Sequence, residues 1–237
     1  MKYLFVGDIH GDITITEYVL NKFENTHKIF FIGDLVDSFQ FSIIEQVECL
    51  LLVLEAAEHK KCVYIPVNHE FNYLGPKDIC RCSGFNSVTD AHLIHLKNRL
   101  LNVFTYFYFD KENKILVTHA GLTKSLIKYY KITVDNIEEI LTKWSHDYTS
   151  PFYYIGRSRF GKDDIGGPLW CDWNREFENC NWLTQILGHS SALSNKEKHD
   201  KKFGIRYFDQ TYNIDCLLRT IEFLEFDTDT QKFTIIH

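Results

Sequence analysis

Arginine is scarce in this chain. Only seven occur among 237 residues, at positions 81, 99, 157, 159, 175, 206 and 219, so a guanidinium beside a polar site is informative, because it is the group that grips phosphate in a bidentate fork. Positive charge is short overall. Asp and Glu number 32 against 26 Lys and Arg, a formal net charge of −6, and no global field gathers nucleic acid or an anionic membrane. No stretch approaches the roughly 18 to 20 uninterrupted apolar residues of a membrane helix. The apolar run within Met1 to Val6 is too short for a signal peptide, and no cleaved leader is expected. The seven cysteines are odd in number and have no framework spacing, which excludes a disulfide-stapled fold and points to reduced thiols in a cytoplasmic setting. Cys80-x-Cys82 lacks the second pair that a zinc clip requires, and both read as ordinary thiols. There is no internal repeat, linker or low-complexity tract. With 45% hydrophobic residues, the chain can bury a sizeable core, and a single domain over residues 1–237 is expected.

Tyr3 to Val6 and Lys28 to Ile32 are short runs of aromatic and β-branched residues, each stopped by Gly-Asp, as buried strands are. Between Phe39 and Glu58, Ile43, Val47, Leu50, Leu51 and Leu54 recur at helical spacing, and Lys61 to Ile65 returns to strand character. This reads as β-α-β-α-β with polar motifs at strand ends, where loops of open α/β sheets converge on one rim. Ser87 to Leu100 predicts a helix, Asn102 to Phe109 with Lys114 to Thr118 a hairpin that delivers His119, and Thr133 to His146 a helix with Asp135 and Glu138 in its first turn. Tyr148 to Pro168 reads as a long loop that covers the site. Leu183 to Leu187, Phe203 to Phe208, Ile214 to Leu218 and Ile221 to Phe226 read as a second run of strands.

Five motifs carry the chemistry: Gly7-Asp8-Ile9-His10-Gly11, Gly33-Asp34-Leu35-Val36-Asp37, Asn68-His69-Glu70, His119-Ala120-Gly121 and Gly188-His189. Asp8 and His10 stand two apart, so after a strand both point to one side and reach one cation. Asp34 ends the neighbouring strand, and its two oxygens can bridge two cations. Gly7, Gly11, Gly33, Gly121 and Gly188 stand where the backbone must turn sharply off a strand. A mixed oxygen and imidazole shell without thiolate suits manganese, iron, zinc or nickel.

The order and spacing of these motifs, from Met1 to about Phe226, resemble the calcineurin-like metallophosphoesterases, in particular the compact serine/threonine phosphatases of phages and bacteria. The resemblance implies a four-layer α-β-β-α sandwich with a dinuclear metal centre on one rim. It assigns Asp8, His10 and Asp34 to one metal, and Asp34, Asn68, His119 and His189 to the other. It also makes His69 the general acid, with Asp37 holding its tautomer, and has Asn68 face the substrate. Two divalent cations, manganese foremost, are the implied cofactors. The implied partner is a phosphoester, carried by a phosphoprotein or a nucleotide, and not nucleic acid or membrane.

The chain departs from the protein-phosphatase pattern at two places. Ser38 follows Asp37 where that subgroup has arginine, and Pro66-Val67 precedes Asn68 where it has Arg-Gly. Arg159, with Arg157 as the alternative, is left to bind phosphate, and Trp170 and Trp173 are candidate pocket walls. Val67 resists positive φ, so the loop is expected to be extended there. The first expectation is a metal-dependent phosphomonoesterase. A symmetrical dinucleoside-polyphosphate hydrolase, and a non-catalytic binding module on the same fold, are the alternatives.

Overall fold

The computed structural model describes residues 1–76, 82–191 and 204–237. The chain forms two compact units, one of Met1–Thr105 with Phe223–His237 and the other of Tyr106–Glu222. Each unit holds one five-stranded mixed sheet with helices beside it.

In the first unit the sheet order is β10-β9-β1-β2-β3, with β1 Lys2–Val6, β2 His27–Phe31, β3 Cys62–Tyr64, β9 Phe223–Asp227 and β10 Lys232–Ile236. β1 runs parallel to β2 with Leu4 opposite Ile29, and β2 runs parallel to β3 with Phe30 opposite Val63. β1 runs antiparallel to β9 with Tyr3 opposite Phe226. A central strand covered on both faces is apolar throughout rather than alternating, and Leu4, Phe5 and Val6 are accordingly fully buried. Phe5 and Phe30 stack with centroids 5.1 Å apart, at the centre of an aromatic core that also contains Tyr3 and Phe226. Each such ring contributes about 1.5–3 kcal/mol by leaving water.

Helix α1, Ile13–Phe23, starts where the Asp12 carboxylate accepts the Ile15 N–H at 3.0 Å. Helix α2, Ile43–Glu58, starts with a reciprocal cap between Ser42 and Glu45. Its buried stripe is Gln46, Cys49, Leu50, Val53 and Leu54, so Val47 and Leu51 of the expected stripe lie only half inward. Gln46 is the reason, as its buried amide serves the loop before the helix. Helix α3, Asn68–Leu74, was not foreseen, and α4 covers Ser87–Val103. The expected hairpin therefore begins later than Asn102, because α4 runs on through Val103.

In the second unit the sheet order is β4-β5-β6-β8-β7, with β4 Tyr108–Asp110, β5 Ile115–Val117, β6 Thr184–Leu187, β7 Arg206–Phe208 and β8 Thr211–Asn213. β4 and β5 form the expected hairpin, and β5, β6 and β8 run parallel. Helix α5 is Lys124–Tyr129 and helix α6 is Ile137–Ser145. The expected acidic turn at Asp135 is a turn before α6, and Glu138 and Glu139 are the acidic residues of its first turn. Two 3-10 turns, Pro151–Tyr153 and Arg157–Arg159, break up the long loop. Ile214 to Leu218 is not a strand. The ladder to β6 ends at Asn213, and Ile214 leaves it after one bond to Leu187. Cys80, Arg81 and Phe203 lie outside the described residues.

Candidate functional site

In the first unit, β1 and β2 run parallel and deliver the first two motifs at the same end of the sheet. The loops are tied together by the His10 N–H, which donates to the Asp34 carbonyl at 2.6 Å. Asp8, His10 and Asp34 each present a ligand atom, all within 4.8 Å of one another. The His10 Nδ1 lies 3.4 Å from the Val36 carbonyl. A carbonyl only accepts, so the proton sits on Nδ1, and Nε2, 3.8 Å from an Asp34 oxygen, carries the lone pair. Burial, with the nearby His69 charge, pushes His10 down to about 4, and the ring stays neutral at neutral pH, as a metal ligand must be.

Left-handed backbone recurs at these residues, as it does at several turns elsewhere in the chain. His10, Asp34 and Asp37 have φ of 49°, 47° and 60°, and in the second unit His189 has 67°. The left-handed region costs a non-glycine residue on the order of 1–3 kcal/mol, a cost typical of functional positions. Gly33 at φ +72° sits so close to Val67 that a Cβ there would lie 2.1 Å from Val67 Cγ1. Val67 itself is extended, with φ −138° and ψ −166°, as its β-branch requires. It leads into Asn68, whose buried side-chain oxygen accepts no hydrogen bond among the described residues. Leaving such an acceptor unsatisfied costs about 1–3 kcal/mol, and a cation would satisfy it. The residues present fit a divalent metal.

Two buried polar side chains to which the sequence reading gave no role hold this arrangement. Glu70 is fully buried and accepts the Leu35 N–H at 2.6 Å and the Val67 N–H at 3.0 Å, so one carboxylate fastens the second motif to the third. Gln46 accepts the Ser38 N–H at 3.1 Å and donates to the Phe41 carbonyl at 2.8 Å. Ser38 accepts from the Gln40 and Phe41 N–H groups at 3.1 and 3.2 Å. Where the related subgroup carries a phosphate-binding arginine, this chain uses its residue to close a turn. A polar residue on the apolar stripe of α2 was the signal for Gln46.

His69 stands beside Asn68 with its Nδ1 2.9 Å from Asp37 Oδ2. Asp37 is buried and also receives Asn72 Nδ2 at 2.9 Å and the Tyr73 hydroxyl. Burial by itself would lower His69, but the bonds to Asp37 and Cys82 outweigh it and push the ring up to about 10. The carboxylate fixes the tautomer and leaves Nε2 as the outward proton.

In the second unit, β5 and β6 run parallel and carry His119 and His189 just past their ends. His119 Nε2 and His189 Nδ1 are 2.9 Å apart. Two ligands held about 2.0–2.1 Å from one cation stand at a similar separation. Arg159 donates to the Ser190 hydroxyl at 2.8 Å and to the His189 carbonyl at 3.4 Å, and pairs with Asp172 at 3.2 Å. Arg206, given no role by the sequence, donates to the Ser190 carbonyl and to Asn174. Asp215 is buried, and burial outweighs the pull of Arg206 and Arg159 to raise it to about 6. Trp170 meets His189 edge-on at 5.9 Å, and Trp173 stacks on Phe177.

Arg157 points elsewhere. It is largely exposed, pairs with Asp164 at 2.8 Å, and lines a cavity of about 510 Å³ with Tyr129, Tyr130, Tyr154 and Lys162. The short turn Arg157–Arg159 thus sends one guanidinium to the His189 loop and the other to a separate pocket. Glu176 anchors that turn through the Ser158 hydroxyl at 2.5 Å.

A sequence model described as calcineurin-like phosphoesterase matches residues 1–220. No curated protein matches the chain. Among solved structures, a metallophosphoesterase from Sphaerobacter thermophilus is similar with a TM-score of 0.53 at 15% identity, over 99% of this chain and 87% of that one. A candidate diadenosine tetraphosphatase gives 0.51 at 14% identity, over 99% and 92%. A serine/threonine phosphatase from Saccharomyces cerevisiae, with similarity to human phosphatase PP5, gives 0.51 at 16% identity, over 100% and 79%. At such identities these likenesses speak for the fold alone. Among the described residues, no helix is long and apolar enough to cross a membrane.

Proposed function

Because the chain belongs to the calcineurin-like phosphoesterase family, we propose that it is a metal-dependent phosphomonoesterase of the phage and bacterial serine/threonine phosphatase type. The observation that carries this reading is the His69–Asp37 pair at 2.9 Å, set next to Asn68 with its unsatisfied oxygen. A module kept only for binding has no need to hold a histidine in one tautomer beside a ligand set. Following the family's assignment, Asp8, His10 and Asp34 hold one divalent metal, and Asp34, Asn68, His119 and His189 hold a second, with manganese the first choice. Bound there, the metals supply Lewis-acid stabilisation of phosphoryl oxygens and a lowered pKa for water.

The chain's own residues do the rest. His69 gives its Nε2 proton to the leaving oxygen, and Asp37 keeps the ring in register for that transfer. Arg159, partly buried and beside the His189 loop, binds the outer phosphate oxygens. With Ser38 and Pro66 in place of arginine, phosphate binding loses two charge-assisted contacts, each worth roughly 1.5–3 kcal/mol. The test is metal analysis followed by a manganese-supplemented panel of an aryl phosphate, a phosphopeptide, a phosphodiester and diadenosine tetraphosphate. Turnover of the monoesters, lost in Asp34→Asn together with bound metal, is expected. Bound metal without turnover of any phosphoester would return the chain to the binding-module reading.

The cavity beside Arg157 favours a second reading, a dinucleoside-polyphosphate hydrolase acting on an anionic substrate with a flat ring. Three tyrosines line it, with Arg157 and Lys162 set beside Asp163 and Asp164, and flat rings stack on aromatic walls. Under that reading Arg157→Ala raises KM for diadenosine tetraphosphate and not for an aryl phosphate. Under the first reading only Arg159→Ala raises KM, and it does so for every monoester.

A further inference from the structure

Asp37, His69 and Cys82 form a cluster that the phosphatase reading uses only in part. Their ligand atoms lie within 4.8 Å of one another, with Asp37 buried and the other two half-buried within reach of solvent. His69 Nδ1 is 2.9 Å from Asp37 Oδ2 and 3.5 Å from Cys82 Sγ. Tetrahedral zinc places nitrogen and oxygen about 2.0–2.2 Å away and sulfur about 2.3 Å. The edges of that tetrahedron are therefore about 3.3 Å between nitrogen and oxygen and about 3.5 Å between nitrogen and sulfur. One edge is already formed, and the other needs an opening of a few tenths of an ångström.

The surroundings are arranged for such ligands. Asn72, three residues after His69 on the same face of α3, donates from Nδ2 to Asp37 at 2.9 Å and to Cys82 Sγ at 2.7 Å. Its side-chain oxygen accepts the Cys82 N–H at 2.9 Å. The Tyr73 hydroxyl holds the other Asp37 oxygen. One amide that aims at both a carboxylate and a thiol orients them as an outer shell orients the ligands of a metal.

We propose that Asp37, His69 and Cys82 are a zinc site separate from the oxygen and imidazole ligand set, with water in its fourth position, and that zinc bound there silences His69. The thiolate gives the site its preference for zinc over manganese or magnesium. Binding releases the Cys82 thiol proton and the His69 Nδ1 proton to solvent. The ring that remains is a neutral imidazole bound through Nδ1, whose Nε2 proton is far less acidic than that of an imidazolium. Asp37, now a ligand, no longer assists it. The silencing rests on the reading of His69 as general acid; the metal site does not.

The experiment uses the manganese-loaded full chain titrated with cobalt(II) and then zinc. A near-ultraviolet thiolate-to-cobalt charge-transfer band is expected in the wild type, removed by zinc and absent in both Cys82→Ser and Cys82→Ala, with circular dichroism showing that each variant is folded. No band in the wild type, or a band that survives in folded variants, overturns the site. Zinc is expected to slow alkyl phosphate hydrolysis by about tenfold or more in the wild type, within the range of a lost general acid. It should slow an aryl phosphate less, and should slow neither through this route in Cys82→Ser. Equal zinc inhibition of wild type and Cys82→Ser overturns the silencing. Should the chain hydrolyse no phosphoester, the cobalt band alone still decides whether the site exists.

Discussion

The rings of His10 and His69 lie 5.6 Å apart, yet their surroundings drive them in opposite directions. His10 is buried, the Val36 carbonyl does not offset that burial, and the ring falls to about 4. His69 is tied to Asp37 and rises to about 10. In the chelated protein, the unfolded chain takes up a proton at His10 near the ordinary imidazole value and the folded chain only near 4. The stability this contributes is present above pH ~6.5 and is lost as pH falls toward 4, with a ceiling of about 3 kcal/mol. Urea titrations of the chelated protein between these limits should show that slope, reduced in His10→Ala. His69→Asn should leave the manganese content intact while slowing hydrolysis of an alkyl phosphate by 10² to 10⁴-fold, the usual worth of an acid. An aryl phosphate, whose leaving group needs less protonation, should lose less. Equal loss on both substrates would remove His69 from the acid role, and lost manganese would recast it as structural.

At the scale of elements, the loop after β2 and the start of α3 are one construction. Glu70 joins them through two buried N–H groups, and the Gly33 and Val67 pair sets how closely they approach. Glu70→Ala would leave two buried donors unsatisfied, at about 1–3 kcal/mol each. A loss of roughly 2–6 kcal/mol in urea melts, with weakened metal binding, is the expected outcome. Glu70→Gln, which retains one acceptor, should fall between the two. Unchanged stability in Glu70→Ala would mean the loops are held by their backbone alone. The period of α2 was legible in the sequence, and Leu50 and Leu54 of its apolar stripe are buried, but the place of Gln46 on that face was not legible. Gln46 reads as a surface residue until the loop it serves is known.

At the scale of the molecule, the first unit is discontinuous in sequence. Its sheet takes β9 and β10 from the last fifteen residues, Phe223–His237, beyond the stretch that the family model matches. Phe223 and Leu224 are fully buried and β9 is the antiparallel partner of β1. A chain ending at Glu222 would expose the edge of β1 and lose three buried apolar side chains, Phe223, Leu224 and Phe226, each worth about 2–5 kcal/mol. That exceeds a large share of the stability of an ordinary domain. It should fail to give a cooperative melt. A soluble truncated chain with a normal melt would show that β9 and β10 are dispensable.

The sequence by itself determined the motifs, their placement at strand ends and the parallel β1 and β2 that carry the first two. These follow from local signals: apolar runs broken by Gly-Asp, and ligand types that few other chemistries require. It also determined the extended backbone at Val67, because a β-branched side chain leaves little else. Tertiary structure decided the rest. Which arginine faces the His189 loop depends on how Glu176 pins a short turn, and that Cys82 stands beside His69 depends on where α3 places Asn72. Glu70, Gln46 and Arg206 each act on backbone far away in sequence. A buried polar group declares its partner only when the fold brings that partner within hydrogen-bond reach.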